Sequence, residues 1–206
     1  MFRNRQDGGR LLSEKLEQFR NTNSIVLAIP RGGIPVALEI SKALHIPIDV
    51  ILCKKIGHPQ NEEVAIGAVC TQGMIIDNDQ QVPKEYIKRK AEEIKNKLKA
   101  QLKLFRGNRS FPDVQGKNVI LVDDGIATGY TLLATIRMLR TLNPAQIVVA
   151  VPVASSRSAR KIERECDELI CLTETDYFPG VGAFYQDFSQ VSDEEAIELL
   201  SSADQG

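Results

Sequence analysis

Two adjacent carboxylates near the middle of the chain follow an apolar run and precede a loop of small residues. The segment reads Val119-Ile120-Leu121-Val122-Asp123-Asp124-Gly125-Ile126-Ala127-Thr128-Gly129-Tyr130-Thr131. Successive backbone N–H groups in such a loop, with the positive N-terminal end of the helix that follows, favour a phosphate between Ala127 and Thr131. Asp123 and Asp124 favour a group with hydroxyl donors or positive charge. The spacing therefore predicts a site for a phosphorylated sugar.

Other chemistries fit this segment less well. A P-loop has a lysine before its final Ser or Thr, and no lysine precedes Thr131. An aspartyl phosphatase pattern has one residue between its two acids, whereas Asp123 and Asp124 are adjacent. An acidic turn before a helix would explain the acid pair alone equally well, but it does not explain the whole pattern.

The segment closely resembles the signature with which the type I phosphoribosyltransferases bind 5-phosphoribosyl 1-diphosphate (PRPP). That signature has four apolar residues, two acids and a loop that ends in Thr-Gly-x-Thr. The resemblance implies that Asp123 and Asp124 hydrogen-bond the ribose 2′- and 3′-hydroxyls, and that the loop holds the 5′-phosphate. The implied PRPP-binding residues are Asp123, Asp124, Gly125, Ala127, Thr128, Gly129, Tyr130 and Thr131.

A second strand end, Ala28 to Pro35, also has the residue types of an anion site. Gly32 and Gly33 allow close backbone approach, and Arg31 brings a forked cation to a helix start. A plain turn into a helix is the alternative. The segment resembles the pyrophosphate loop of the same family, which in several members contains a cis peptide. We therefore expect a cis bond between Pro30 and Arg31 and pyrophosphate contacts from Arg31, Gly32 and Gly33.

The segment Cys53 to Glu63 follows a predicted strand and is rich in turn-forming residues, which predicts a mobile loop. It resembles the flexible lid of the family, over about residues 54–82. The resemblance implies that Lys54 and Lys55 contact pyrophosphate, and that Asp123, Asp124, Arg31 and Lys55 form the catalytic set. His58 is a weaker acid/base candidate, because a lone loop histidine is usually only exposed.

The segment from residue 177 to residue 188, here called the aromatic segment, holds five of the eleven aromatic residues. A capping box, Ser192-Asp193-Glu194-Glu195, then predicts a last helix. A packed covering segment is the simplest interpretation. The resemblance implies instead the hood of the family, which packs the acceptor base. The segment also resembles the tail of a little-characterised bacterial branch of the family.

The elements that must position these residues alternate between short apolar strands and amphipathic helices. This alternation predicts an α/β fold, with a mainly parallel sheet flanked by helices and a site beyond the carboxyl ends of the strands. We expect one domain over 1–206, with a core at about 8–172, the lid and a hood at about 173–203. The predicted strands are Ser24–Ile29, Ile48–Cys53, Val64–Cys70, Met74–Asp77, Val119–Val122, Ile147–Val153 and Leu169–Leu172, with helices at Leu11–Phe19, Ile34–Leu44 and Pro83–Arg106.

Composition excludes several other classes of protein. The formal net charge is −1, from 26 basic and 27 acidic residues, which argues against a wholly basic nucleic-acid coat and an acidic disordered protein. The longest apolar run, Ile147–Ala154, is too short to span a membrane. The first residues lack the apolar stretch of a signal peptide. We therefore expect a cytoplasmic protein, with all four cysteines reduced and without the Cys/His spacing of a zinc site.

The predicted helix over residues 83–106 is strongly basic, with nine basic and three acidic residues. A solvated face explains it most simply. Contact with a nucleic acid or with an acidic partner is the alternative.

Taken with the resemblance, these features predict transfer of a phosphoribosyl group between PRPP and a nitrogen nucleophile, with a nucleobase as the expected acceptor, Mg2+ as cofactor and pyrophosphate as leaving group. Ala127 stands where the 6-oxopurine enzymes typically have Asp, which argues against hypoxanthine or guanine as acceptor. The lid also lacks the lysine and histidine pattern of the orotate enzymes. The rival prediction is a regulator that senses PRPP and binds RNA or DNA without catalysis. Family members are commonly dimers, so a homodimer is also expected.

Overall fold

The computed structural model describes residues 1–76 and 82–203. Its helices are α1 (Arg5–Lys15), α2 (Gly33–Leu44), α3 (Lys84–Arg106), α4 (Tyr130–Arg140), α5 (Ser156–Glu163) and α6 (Asp193–Ala203). Its strands are β1 (Ser24–Ala28), β2 (Ile48–Val50), β3 (Cys53–His58), β4 (Asn61–Cys70), β5 (Gly73–Ile76), β6 (Asn118–Val122), β7 (Gln146–Ser155) and β8 (Glu168–Thr175).

Five strands form a parallel sheet in the order β2-β1-β6-β7-β8, which confirms the predicted α/β fold with a mainly parallel sheet. Every residue of β1 is buried, because side chains alternate between two covered faces of the sheet. Val26 and Ala28 face one apolar layer, and Ile25 and Leu27 face the other. This two-sided burial explains why the strands are continuous apolar runs in the sequence.

The two faces of the sheet are covered by different helices. The layer that includes Val26 contains buried side chains of α1, α2, α3 and α6, and the layer that includes Leu27 contains those of α4 and α5. Helix α3 has the predicted extent and ends at Gly107, whose φ of 61° favours glycine. No helix in residues 1–76 or 82–203 combines the length and apolar character that crossing a membrane requires.

The remaining strands form a separate antiparallel sheet, in the order β3-β4-β5. Two predictions are wrong here. The predicted strand Ile48–Cys53 divides, so that β2 joins the parallel sheet and Cys53 begins the second sheet. The predicted loop from Cys53 to Glu63 is mostly a hairpin of β3 and β4, because cross-strand pairing overrides its turn-forming composition. Asp77 and the last part of the predicted lid, up to residue 81, lie outside the described residues.

The prediction that all four cysteines are reduced is also wrong. Cys53 and Cys70 form a disulfide, whereas Cys166 and Cys171 are free thiols. Cys53 and Cys70 are directly opposite each other in the β3–β4 ladder, with their Cα atoms 4.0 Å apart. The register of this hairpin therefore brings the two sulfur atoms together, and a separation of 17 residues gave no sign of it in the sequence.

Candidate active site

The two acids meet the loop of residues 29–32, here called the arginine loop, at the carboxyl edge of the parallel sheet. Strands β1 and β6 are neighbours, with Ala28 opposite Val122, and the N–H of Ile29 donates to the carbonyl of Val122 at 2.9 Å. The chain leaves β1 towards β2 and leaves β6 towards β7, on opposite sides of this pair. The loops that follow β1 and β6 therefore flank a topological switch point, where ligands bind in open α/β sheets.

Asp124 is held by groups that come from three parts of the chain. Arg5 Nε donates to Asp124 Oδ2 at 2.8 Å, and the Tyr185 hydroxyl donates to the Asp124 backbone carbonyl at 2.6 Å. The backbone N–H of Asp124 donates to Asp123 Oδ1 at 2.9 Å. The side chains of Arg5 and Asp124 are only 10% and 15% exposed, so water screens their ion pair little. These contacts fix the orientation of the Asp124 carboxylate.

Burial raises the pKa of both acids above the ordinary range, and the pKa of Asp123 is raised further by the neighbouring charge of Asp124. The Arg5 guanidinium opposes this rise, chiefly through its hydrogen bond to Asp124. Asp124 is therefore the acid of the pair that is better stabilised as a carboxylate. Burial also raises the pKa of Tyr185, which keeps this residue a hydroxyl donor.

The loop after β1 lies directly against the two acids. The peptide between Pro30 and Arg31 is cis, as predicted. A Cβ on Gly32 would lie 2.0 Å from Asp124 Oδ2, and one on Gly33 would lie 2.7 Å from the carbonyl oxygen of Val122. There is no space for a side chain at either position, so both residues must be glycine. Together with Arg5, Phe188 and neighbouring residues, Arg31, Gly32 and Asp124 line a cavity of about 310 Å³.

The side chain of Arg31 lies beside the last helix. Arg31 Nη1 is 3.6 Å from Asp193 Oδ1, at the N-terminal end of α6. The predicted cap of this helix is present, since the N–H of Glu195 donates to Ser192 Oγ at 3.1 Å. The Arg31 side chain is about one-third exposed and so remains accessible to a ligand.

The loop after β6 has the form of an anion cradle. Gly129 has a φ of 75°, which favours glycine, and α4 begins directly after it. Ala127, Thr128 and Thr131 are exposed. Ser155 Oγ and Ser158 Oγ both donate to the carbonyl of Ala127, at 2.9 and 2.7 Å. These bonds anchor the loop to β7 and α5. Because the loop residues at the N-terminal end of α4 are exposed, a phosphate has access to this end of the helix.

The lysines of the predicted lid have different surroundings. Lys54 is exposed, and Lys55 Nζ is 5.7 Å from the ring centroid of Tyr130, at the start of α4. Lys161 Nζ lies 5.5 Å from the same ring. Lys55 is therefore close to the predicted phosphate cradle. His58 Nδ1 accepts a hydrogen bond from the N–H of Gln60 at 3.2 Å, so His58 contributes to the hairpin turn.

The aromatic segment lies beside the acid pair and pairs with the start of the chain. The N–H of Phe2 donates to the carbonyl of Phe184 at 2.8 Å, and the N–H of Gln186 donates back to Phe2 at 2.8 Å. The Phe2 and Tyr185 rings are in contact, with centroids 5.4 Å apart. This pairing brings Arg5 to Asp124. A Cβ on Gly125 would lie 2.6 Å from the Val181 side chain, so the segment also packs closely on the loop after β6.

Sequence reasoning found the acids and both loops but missed the groups that position them. Arg5, Ser155, Ser158 and Tyr185 reach the site from α1, β7, α5 and the aromatic segment. Arg5, Ser155 and Ser158 are single polar residues outside any motif, whereas Tyr185 lies in the aromatic segment, to which the sequence assigned no partner. Ser155 also lies near the carboxyl end of a predicted strand, where site residues are expected.

The sequence and the fold both match those of known proteins. The family of the phosphoribosyl transferase domain matches residues 3–186. The chain therefore belongs to this family, which confirms the resemblance described from its sequence.

Two relatives share about a third of the sequence. The protein named "Putative phosphoribosyl transferase Rv0571c" from Mycobacterium tuberculosis is 34% identical over 208 residues, which cover 98% of this chain and 47% of the relative. The chain thus spans about half the length of the curated relatives that it matches. The crystal structure of TT1426 from Thermus thermophilus is 34% identical, with 98% of both chains covered and a TM-score of 0.90.

A more distant structure shares the fold alone. The hypoxanthine phosphoribosyltransferase of Staphylococcus aureus is 13% identical, with a TM-score of 0.51 over 84% of this chain and 74% of that chain.

Proposed function

We propose that the protein transfers the 5-phosphoribosyl group between PRPP and a nitrogen nucleophile of the nucleobase class. The observation that carries this proposal is the position of Asp123 and Asp124. They follow β6 at the switch point of the sheet, between the arginine loop at Gly32 and the start of α4 at Tyr130. A carboxylate pair with anion sites on both sides suits a ribose that carries a phosphate at C5 and a diphosphate at C1.

In this mechanism each group of residues binds one part of PRPP. The N–H groups from Ala127 to Thr131 hold the 5′-phosphate, and the two acids accept hydrogen bonds from the ribose hydroxyls. Arg31 and the lid lysines, Lys54 and Lys55, stabilise the negative charge of the diphosphate. These roles keep C1 of the ribose between the acids and the arginine loop.

The reaction breaks the bond between C1 and the diphosphate oxygen, and that oxygen keeps the bonding electrons. The lone pair of the acceptor nitrogen forms the new bond to C1, and the proton that this nitrogen releases passes to water. Positive charge develops on the ribose ring as the diphosphate leaves. Carboxylates that are already oriented beside the ring stabilise that charge at no reorganisation cost.

The donor set at this edge suits Mg2+ as a further component. Among residues 1–76 and 82–203, no group of three or more His, Cys, Asp or Glu residues forms a metal cage. Two neighbouring carboxylates remain, and Mg2+ is typically bound by one or two carboxylates together with substrate phosphates. Asp123 and Asp124 would hold the ion with PRPP, and the ion would supply charge neutralisation of the diphosphate.

The test is release of pyrophosphate from PRPP and Mg2+ in the presence of each member of a nucleobase panel. We expect turnover with at least one base. We also expect Asp124→Asn to lower kcat by about 100-fold, because the amide keeps the shape but loses the charge beside the ribose. Asp113→Asn is the matched control, since Asp113 is exposed and its carboxylate accepts from the N–H of Gln115 in a distant loop.

Two results would contradict the proposal. Unchanged turnover in Asp124→Asn would remove the assigned role of the acid pair. Tight binding of PRPP by the wild-type protein without pyrophosphate release from any base of the panel would favour the regulator instead.

The regulator is the second candidate because the basic residues of α3 are largely at the surface. Two residues are exceptions: Arg106 is buried and pairs with Asp49 at 2.6 Å, and Lys90 is partly buried. Retention of RNA or DNA that depends on PRPP and weakens steeply with salt would support this candidate. The exposed basic residues are Lys84, Lys88, Arg89, Lys95, Lys97, Lys99 and Lys103.

A further inference from the structure

Arg5 lies in the candidate active site although it comes from the first helix. Its guanidinium makes three contacts: Nε donates to Asp124 Oδ2 at 2.8 Å, Nη1 donates to the carbonyl of Ser189 at 2.7 Å, and the Cζ atom lies 3.8 Å from the centroid of the Phe188 ring. The side chain is 10% exposed. A buried cation with one carboxylate partner and a stacked ring has little freedom to move, so it defines where that carboxylate lies.

The contact uses only one of the two carboxylate oxygens of Asp124. Oδ2 lies between Arg5 and the backbone of Gly32. It is so close to Gly32 that a Cβ at this residue would have no space. Oδ1 is the oxygen that Arg5 does not use. Fixing Oδ2 on the arginine loop therefore sets the direction in which Oδ1 is presented to a ligand.

We infer that Arg5 is a positioning residue, which orients the Asp124 carboxylate so that it accepts a hydrogen bond from a hydroxyl of the phosphoribosyl group. This inference rests on the proposed function, because it requires a ribose at Asp124. It adds a residue that no sequence pattern indicates, and it gives the pairing of Phe2 with the aromatic segment a role in ligand selectivity.

The geometry requires the forked shape of the arginine as well as its charge. Nε and Nη1 point to two different acceptors, Asp124 Oδ2 and the Ser189 carbonyl, which belong to different segments of the chain. A lysine has one ammonium group and cannot reproduce both directions at once. Arg5→Lys should therefore retain part of the effect, whereas Arg5→Gln should lose the charge and most of the orientation.

The experiment compares binding of ribose 5-phosphate with binding of its 2-deoxy and 3-deoxy analogues by calorimetry. The proteins are the wild type, Arg5→Gln, Arg5→Lys and the matched control Arg3→Gln. Arg3 lies two residues away on the same segment, but it is 70% exposed and pairs with Asp7 at the surface. Wild-type binding of PRPP with Mg2+ is measured first.

We expect the wild type to prefer ribose 5-phosphate over at least one deoxy analogue by tenfold or more. Arg5→Gln should reduce that preference by about tenfold while its affinity for the same deoxy analogue changes little. Arg5→Lys should lie between the two, and Arg3→Gln should match the wild type. A purely structural role would instead weaken all three sugar phosphates by the same factor.

The outcomes separate this inference from the proposed function. A wild-type protein that does not bind PRPP contradicts the proposed function. A wild-type protein that binds PRPP but shows no preference for either hydroxyl, or an Arg5→Gln protein that keeps the full preference, overturns the role of Arg5 alone. Thermal unfolding checks that each variant is folded, and Arg5→Lys decides the question if Arg5→Gln is not.

Discussion

Replacing Gly32 by alanine should displace the Asp124 carboxylate without straining the backbone at residue 32. The backbone of Gly32 has ordinary helical angles, φ −60° and ψ −32°, which alanine adopts without strain. The new Cβ, however, would lie 2.0 Å from Asp124 Oδ2 and 2.6 Å from its Cγ atom. The carboxylate of Asp124 is the group that must move, because the backbone on either side is held by β1 and α2.

The size of the effect follows from these distances. Contacts of a Cβ essentially never fall below 3.0 Å, so the carboxylate oxygen must move by about 1 Å. Such a shift breaks or lengthens the 2.8 Å hydrogen bond from Arg5. A hydrogen bond to a charged group contributes about 1.5–3 kcal/mol to stability, and displacement of a binding carboxylate by about 1 Å should weaken PRPP binding by roughly 10–100-fold.

The assay is calorimetric titration with PRPP and Mg2+, together with urea unfolding of the same protein. We expect Gly32→Ala to bind PRPP about 10–100-fold more weakly and to unfold at a lower urea concentration, because weakening the buried ion pair of Arg5 with Asp124 also lowers the free energy of unfolding by up to about 3 kcal/mol. Gly73→Ala is the control, because its Cβ would meet only the flexible end of Met138, at 3.3 Å. Wild-type affinity in Gly32→Ala would refute the reasoning.

Three further predictions concern stability and reactivity. Gly33→Ala should lower the free energy of unfolding by about 1–3 kcal/mol in urea titrations, because its Cβ would meet backbone atoms of β6 that cannot move aside; an unchanged midpoint would contradict the close packing of α2 on β6. Arg106→Met should lower the free energy of unfolding by about 3 kcal/mol, because it leaves the Asp49 carboxylate half-buried without its cation. The double variant Arg106→Met/Asp49→Leu should regain part of that loss in the same measurement. Burial raises the pKa of the Cys166 and Cys171 thiols to about 11. Alkylation at pH 8 should therefore be about 100-fold slower than for an ordinary thiol, and its rate should rise about tenfold per pH unit up to the thiol pKa. Fast labelling at pH 8 would exclude such burial.

The sequence predicted those parts of the molecule whose signal is local. Strands buried on both faces appear as apolar runs, and the acid pair and the small-residue loop before α4 lie on thirteen consecutive residues. The cis peptide at Arg31 followed from the resemblance of its loop to a known one. These features depend on neighbours along the chain, so a single sequence is enough to identify them.

The parts that were missed depend on pairing between distant segments. Composition indicated a loop at Cys53, but the register with Cys70 decided both the hairpin and the disulfide. Arg5 gives no local signal at all, because its partner Asp124 is 119 positions away. Contacts of this kind are set by the packing of the whole domain, which periodicity and composition do not describe.

The pairing of β1 with β6 has a consequence for the way in which the protein becomes competent to bind its ligand. Ser24 is opposite Asn118, so two stretches separated by most of a hundred residues must dock before the carboxyl edge exists. One part of the candidate site follows each stretch, and the pairing of β1 with β6 brings these two parts together. Occupancy by a ligand should therefore report on completed assembly of the central sheet, which makes ligand capture a stringent probe of refolding.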